Sequence, residues 1–166
     1  MPVKKLKEYL DQKGVKYVSI LHSRAYTAQE IAAATHIPGK ELAKCVIVKI
    51  DDKIAMAVLP ASHAIDLQRF KRELQAGSVE IAHEEEFKDL FPGVETGAMP
   101  PFGHLWGMET YVSDALSRDE IGFEAGSHNE VIKMAYADFE RLAEPRVLGF
   151  SSKSHPAKRQ ETIYTA

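Results

Sequence analysis

Cysteine is almost absent. The one thiol, Cys45, has no partner for an internal disulfide, and without a second cysteine there is no zinc knuckle and no redox pair. Long apolar runs are missing too: none approaches the ~18 residues that span a bilayer. The opening MPVKKLKEYLDQKG carries basic residues but no apolar stretch leading to a small-residue cleavage site. The chain is therefore expected to be cytoplasmic, without a membrane partner. Nor is there an excess of basic charge, since 21 Lys and Arg against 24 Asp and Glu leave −3. Phosphate neutralisation supplies non-specific nucleic-acid affinity, so this balance argues against a protein that coats DNA or RNA along its length. No DNA partner is expected, while a local basic rim stays compatible with the charge. Common chemical signatures are lacking as well: there is no G-x-S-x-G elbow, no P-loop and no G-x-G-x-x-G after a strand. The seven histidines form no H-x-H or H-E-x-x-H pair, so no metal and no cofactor are expected.

What is present reads as one globular domain. The 166 residues are 45% apolar and 27% charged, ordinary values, and a chain of this length hides about 70% of its unfolded surface without staples. Val3, Leu6 and Leu10 share a helix face that Gly14 ends. A strand is expected over 15–21. Thr27 and Glu30 are spaced as a capping box for a helix to about Thr35. The clearest β signal is CVIVKI (45–50), a turn at 51–53 and IAMAVLP (54–60), a hairpin. A helix over 64–74 with Ser62 as its cap follows, then a strand over 78–82 and a helix over 83–90 whose run Glu84–Glu86 is a solvated face. Strands at 108–113, 120–125 and 130–136 and a helix over 137–143 complete the pattern. The sum is a single α/β domain: a mixed, largely antiparallel sheet of six or seven strands packed with about four helices. The domain is expected over 1–144, with 145–166 as a polar, flexible tail.

Three features carry chemistry. Lys44 opens the apolar strand, and alternation puts it on one face with Val46 and Val48, and Cys45, Ile47 and Lys49 on the other. It is either a surface lysine at a strand end or a cation at a pocket mouth. The segment 92–107 holds four glycines and three prolines; its core, Gly97-Ala98-Met99-Pro100-Pro101-Phe102-Gly103, is either a structural turn or a rigid loop presenting backbone groups to a ligand. The tight turn Ala125-Gly126-Ser127-His128-Asn129 carries a histidine, exposed and idle or part of a site. Cys45 is either a small core residue or a thiol nucleophile with His128 as its base.

Taken in order, a lysine opening A-K-C-V-I-V-K (43–49), a hairpin partner ending in Leu59-Pro60, a G-x-x-x-P loop (Gly97 to Pro101) running into Phe102-Gly103, and A-G-S-H (125–128) before V-I-K-M (131–134) resemble the YbaK-type aminoacyl-tRNA deacylases. That family is related to the editing domain inserted in bacterial prolyl-tRNA synthetases. The resemblance spans about residues 1–144 and implies a strongly curved mixed sheet. It also implies hydrolysis of the ester joining a wrong amino acid to the terminal adenosine of a tRNA, most often one for proline. On this resemblance Lys44, Gly97, Pro101 and His128 are the catalytic positions. Cys45, Met99, Pro100, Phe102, Gly103, Gly126 and Ser127 line the substrate. No metal takes part, and a ribose hydroxyl of the tRNA helps to activate water. An activated ester needs positioning and oxyanion stabilisation more than a strong base, and a small pocket sorts side chains by size. The partner is the aminoacyl-tRNA acceptor end, gripped by Lys40, Lys44 and Lys49 or by Lys153, Lys158 and Arg159, with a synthetase as a further candidate. The alternatives are a non-catalytic adaptor for tRNA or a synthetase, and a thiol hydrolase using Cys45.

Overall fold

A computed structural model describes residues 4–25 and 27–153. In chain order the elements are α1 (Lys4–Gln12), β1 (Tyr17–Leu21), α2 (Ala28–Thr35), β2 (Ala43–Ile50), β3 (Lys53–Pro60), β4 (His63–Ile65), α3 (Leu67–Leu74), β5 (Val79–Ile81) and α4 (Glu84–Phe87). Then follow β6 (Thr110–Ser113), β7 (Glu120–Glu124), β8 (Glu130–Ala135), α5 (Tyr136–Ala143), β9 (Arg146–Leu148) and β10 (Ser151–Lys153). Short 3₁₀ turns extend α4 over Lys88–Leu90 and close the proline-rich loop over Gly103–Trp106.

The β2–β3 hairpin is the centre of the molecule. Its register runs from Ala43 opposite Pro60 to Ile50 opposite Lys53. Asp51 and Asp52 reverse the chain with φ of 47° and 70°, the left-handed pair that matches the twist of a two-residue hairpin, which Asp tolerates better than most residues. The Asp51 carboxylate also accepts hydrogen bonds from the Gly77 and Ser78 amides at 2.8 and 2.9 Å, tying the turn to the approach of β5. Strands order as β5-β2-β3-β6-β9 in one sheet, β1-β8-β7 in a second and β10-β4 in a third. Pairing is antiparallel except for β3 with β6 and β6 with β9. An isolated parallel bridge, Leu42 to Gly122, joins the two larger sheets. A Cβ on Gly122 would lie 2.9 Å from Ile37 Cδ1, so glycine lets the Ile37 side chain pack directly on the strand.

Alternation in the hairpin is as the sequence predicts. Cys45 and Ile47 enter a core with Leu6, Phe102, Phe123 and Phe139, while Val46 and Val48 enter another with Phe70 and Phe150. A third cluster gathers Ile31, Ile37, Leu42 and Val131. The capping box of α2 forms as expected.

Three expectations need correction. The helix expected from Ala64 begins at Leu67, because His63–Ile65 pairs with β10; Asp66 is the cap, its carboxylate accepting from the Arg69 amide at 3.1 Å, and Ser62 is not. The seven expected strands all form, and β4, β9 and β10, three residues each, join them among the described residues, the strands dividing into three sheets rather than one. The domain does not stop at 144. β9 extends the central sheet beside β6, and Phe150 is fully buried, stacked on Phe70 with centroids 4.3 Å apart. The remainder of the expected tail, with Lys158 and Arg159, lies outside the described residues, as does Val3.

Candidate functional site

Two devices hold the G-x-x-x-P loop against the 125–129 turn. The first is backbone pairing: the Glu95 amide donates to the Gly126 carbonyl at 2.9 Å and the Gly126 amide to the Ala98 carbonyl at 3.0 Å. Gly97 and Gly126 take φ of 91° and 99°, outside the range of L side chains. The second is a side-chain lattice. Glu95 accepts from the His128 amide at 2.7 Å and from Arg24 at 2.6 Å. Burial acts to raise the Glu95 carboxyl, but the hydrogen bonds from Arg24 and the His128 amide outweigh it and hold its pKa below the usual range.

His128 is buried, and both of its ring nitrogens are engaged. Nε2 is 2.9 Å from the Thr96 carbonyl, and Nδ1 is 3.0 Å from Glu124 Oε2. A carbonyl only accepts, so Nε2 carries a hydrogen. The Nδ1–Glu124 contact then holds one further proton, as imidazolium with carboxylate or as imidazole with carboxylic acid. The hydrogen bond to Glu124 raises the His128 pKa against the effect of burial, and burial raises that of Glu124. The ring is thus a pin between the turn, β7 and the loop.

Lys44 is 5% exposed, and no hydrogen bond or ion pair reaches its ammonium among the described residues. Desolvation lowers its pKa to about 8. The reading of Lys44 as a surface residue is therefore set aside. The Leu42–Gly122 bridge fixes its relation to the turn: in a parallel pairing Lys44 and Glu124, each two residues on, lie on the same face of the joined sheets. The imidazole of His63 lies near enough to feel the Lys44 charge, and its pKa is lowered by burial and then by that charge.

The remaining expected residues divide. Gly97 donates its amide to Met99 Sδ at 3.2 Å, a weak acceptor. Pro100 and Pro101 are buried beside it. The Ser127 hydroxyl is bonded to Asn129 Oδ1 at 2.8 Å. Phe102 and Gly103, expected at the substrate, are used in packing instead. Phe102 is fully buried against Phe123 and Phe139, and a Cβ on Gly103 would lie 2.5 Å from Thr110 Oγ1. Met99 and Cys45 are buried in the same core, and burial pushes the Cys45 thiol far up. A thiolate nucleophile is thereby disfavoured. Of the basic rim, Lys40 and Lys153 are exposed, whereas Lys49 is bound to Glu86 at 2.7 Å and Glu80 at 3.3 Å. No group of three metal-ligating side chains occurs among the described residues, and no helix there is long and apolar enough to cross a membrane.

Glu95, Glu124 and Arg24 were not anticipated. The signal for Glu124 was available: strand alternation in EIGFE puts it on the Gly122 face, four residues before His128. Glu95 and Arg24 meet only through loop geometry.

The family model of the aminoacyl-tRNA editing domain matches residues 22–142. The chain is 23% identical over 147 residues to the multifunctional Ser/Thr-tRNA deacylase ProXp-y of Escherichia coli (strain K12), covering 85% of this chain and 87% of that protein. It is 26% identical over 89 residues to a proline–tRNA ligase of Bacillus cereus (strain AH187), covering 54% of this chain and 16% of the ligase. Among solved structures, a candidate trans-editing enzyme for prolyl-tRNA synthetase superposes with a TM-score of 0.75 at 20% identity, covering 93% of this chain and 98% of that one. A hypothetical protein superposes at 0.73 with 20% identity, covering 90% and 100%. At these identities the structural likeness establishes the fold.

Proposed function

The chain belongs to the aminoacyl-tRNA editing-domain family, and from that premise we propose that it is a trans-acting aminoacyl-tRNA deacylase. Its substrate is the ester of a small wrong amino acid on the acceptor end of a tRNA, with a tRNA for proline the first candidate. The observation that carries the reading is Lys44, a buried residue whose charge meets no counterion among the described residues. Such a group is costly unless an anionic or strongly polar oxygen arrives to meet it.

In this reading Lys44 binds a phosphate or carbonyl oxygen of the aminoacyl adenosine. The Gly97 amide and the Pro101 side of the loop hold the acyl group, and His128, through Thr96 and Glu124, keeps that loop in place. The ribose hydroxyl beside the ester orients the attacking water. Lys40 and Lys153 receive the neighbouring phosphates. The partner is the acceptor end, with a synthetase as a possible second, and the setting is the cytoplasm, where tRNAs are charged.

The test is a deacylation screen against tRNAs charged with Ala, Ser, Cys, Thr and Pro. Acceleration over the spontaneous rate on at least one small amino acid is expected, with the correctly charged prolyl-tRNA spared. Tight binding of tRNA with no acceleration on any substrate would replace the enzyme by the adaptor reading.

A further inference from the structure

Among the histidines, His22 is set apart by what its ring lacks. It follows β1, with its amide donating to the Asn129 carbonyl at 3.0 Å, and the Ala25 amide donates to the His128 carbonyl at 3.1 Å. The segment 22–25 therefore runs beside the turn that carries His128. His22 Nδ1 lies 2.7 Å from the Ser23 carbonyl oxygen. Since a carbonyl only accepts, Nδ1 bears the hydrogen, and in the neutral ring Nε2 keeps its lone pair. That Nε2 is buried and has no hydrogen-bond partner among the described residues. Buried polar atoms are almost always paired, so an exception needs an explanation.

Its surroundings suggest which. Strand alternation puts His22 on the face of Ile20; Ile20 is opposite Val131 and Val131 opposite Glu124, so His22 and Glu124 share one face of the small sheet. The Glu124 carboxyl feels the charge of the His22 ring. The Leu42–Gly122 bridge continues the same face to Lys44. An imidazole held in one tautomer by a backbone carbonyl keeps a lone pair on its other nitrogen, which serves as a general base where a water reaches it. His128 does not offer it, because both of its nitrogens are taken.

We propose that His22 Nε2 accepts the proton of the attacking water. This rests on the deacylase reading and deepens it. The water oxygen bonds to the ester carbonyl carbon while one of its protons passes to Nε2. The tetrahedral intermediate then collapses, the bond from carbon to the ribose oxygen breaks, and that oxygen takes the proton back from the imidazolium. The products are the free amino acid and a tRNA with its terminal hydroxyl restored. The ribose hydroxyl orients the water, and His22 receives the proton.

The experiment uses the full chain and the charged tRNA that the screen identifies. His22→Asn keeps a side-chain amide donor near the Ser23 carbonyl and deletes Nε2; His22→Gln restores an acceptor oxygen there but no base. Both are expected to melt as the wild type, to bind uncharged tRNA with unchanged Kd, and to deacylate about 100-fold more slowly in single turnover. The acid limb of the wild-type rate profile is expected to vanish in both. Because Glu124 and, through it, His128 also titrate on this face, His128→Asn is profiled alongside and should keep that limb. A His22→Asn rate within threefold of wild type overturns the proposal. So does a wild-type rate in His22→Gln, since an acceptor alone would then suffice. Should either variant fail to fold, ¹⁵N NMR of the wild-type imidazoles decides: a hydrogen on His22 Nε2 rather than Nδ1 overturns the assignment. A wild type inactive on every charged tRNA overturns the deacylase reading and this one with it; an active wild type with an active His22→Asn overturns this one alone.

Discussion

Replacing Lys44 with methionine should make the protein more stable and leave it inactive. Lys44 as a residue is 5% exposed, no ion pair or hydrogen bond reaches its ammonium among the described residues, and desolvation lowers its pKa from 10.5 to about 8. At about 1.4 kcal/mol for each pKa unit, keeping that charge at neutral pH costs about 3 kcal/mol. Methionine matches the length of the stem and removes the charge, and volume-conserving apolar replacements are well tolerated. In a domain of this size the gain corresponds to a rise in Tm of about 6–12 °C. Single-turnover deacylation should meanwhile fall about 30- to 1000-fold, the scale of a lost charge-assisted contact in the transition state.

The pH dependence supplies an internal check. The folded pKa of Lys44 is depressed below the unfolded value, so between about pH 8 and 10.5 the unfolded chain holds a proton that the folded chain has released. Stability contributed by this residue therefore rises with pH across that window. Urea unfolding at pH 7, 8, 9 and 10 should show the rise in the wild type and not in Lys44→Met. A variant that is less stable than wild type at pH 7, or equally stable with the same alkaline slope, would mean the ammonium is solvated or paired and would refute the reasoning. Full activity in a folded variant would remove Lys44 from the site.

Three other outcomes are expected. Gly97→Ala should cost about 1–2 kcal/mol, because Gly97 sits at φ 91°, and should slow deacylation by more than the stability loss explains; a folded variant of full activity would take the loop out of the site. The Glu124 and His128 pKa values are both raised in the fold, so the stability this pair contributes should fall as pH rises from about 4.3, the free Glu value, through the raised value of His128, against the opposite slope from His63 and His104, whose pKa values are lowered. Urea midpoints between pH 5 and 7.5, below the Lys44 window, should fall more steeply, or rise less, with pH in wild type than in Glu124→Gln; equal slopes would mean the pair does not titrate as described. A tRNA ending in 2′-deoxyadenosine, charged through its 3′ oxygen, should bind normally and be hydrolysed on the order of 100-fold more slowly; matched rates would mean the water is oriented by protein alone.

The parts of the fold legible in the sequence are those whose periodicity is long enough to read. The β2–β3 hairpin announces itself through two eight-residue, near-continuously apolar strands around an Asp-Asp turn. β4, β9 and β10 give no such signal, since three residues cannot establish a period. Ser62 and Asp66 are both good caps, and the choice falls to Asp66 only because β10 returns to pair with His63–Ile65, a contact between segments nearly ninety residues apart. The same long-range return hid the true end of the domain. Val147, Leu148 and Phe150 look isolated in a polar stretch, yet Leu148 and Phe150 close the cluster over Val46 and Val48 while Val147 packs on the opposite core.

The site was legible in residue type and illegible in role. Alternation correctly set Lys44 apart from Cys45, but whether the Lys44 face meets solvent depends on α3 and on β10, which the hairpin's own sequence does not encode. The loop's glycines and prolines marked rigidity without saying which carbonyl would point where. That matters most for histidine, whose chemistry is decided by its neighbours rather than by its name. The Thr96 carbonyl puts a hydrogen on His128 Nε2 and Glu124 occupies the other nitrogen, so the histidine that resemblance selects is a pin. The Ser23 carbonyl puts the hydrogen of His22 on Nδ1 and leaves Nε2 buried and unpaired, so the histidine that no motif selects has the lone pair. Two backbone oxygens, neither identifiable from composition or spacing, thus assign opposite capacities to the same side chain at positions a few ångströms of backbone apart.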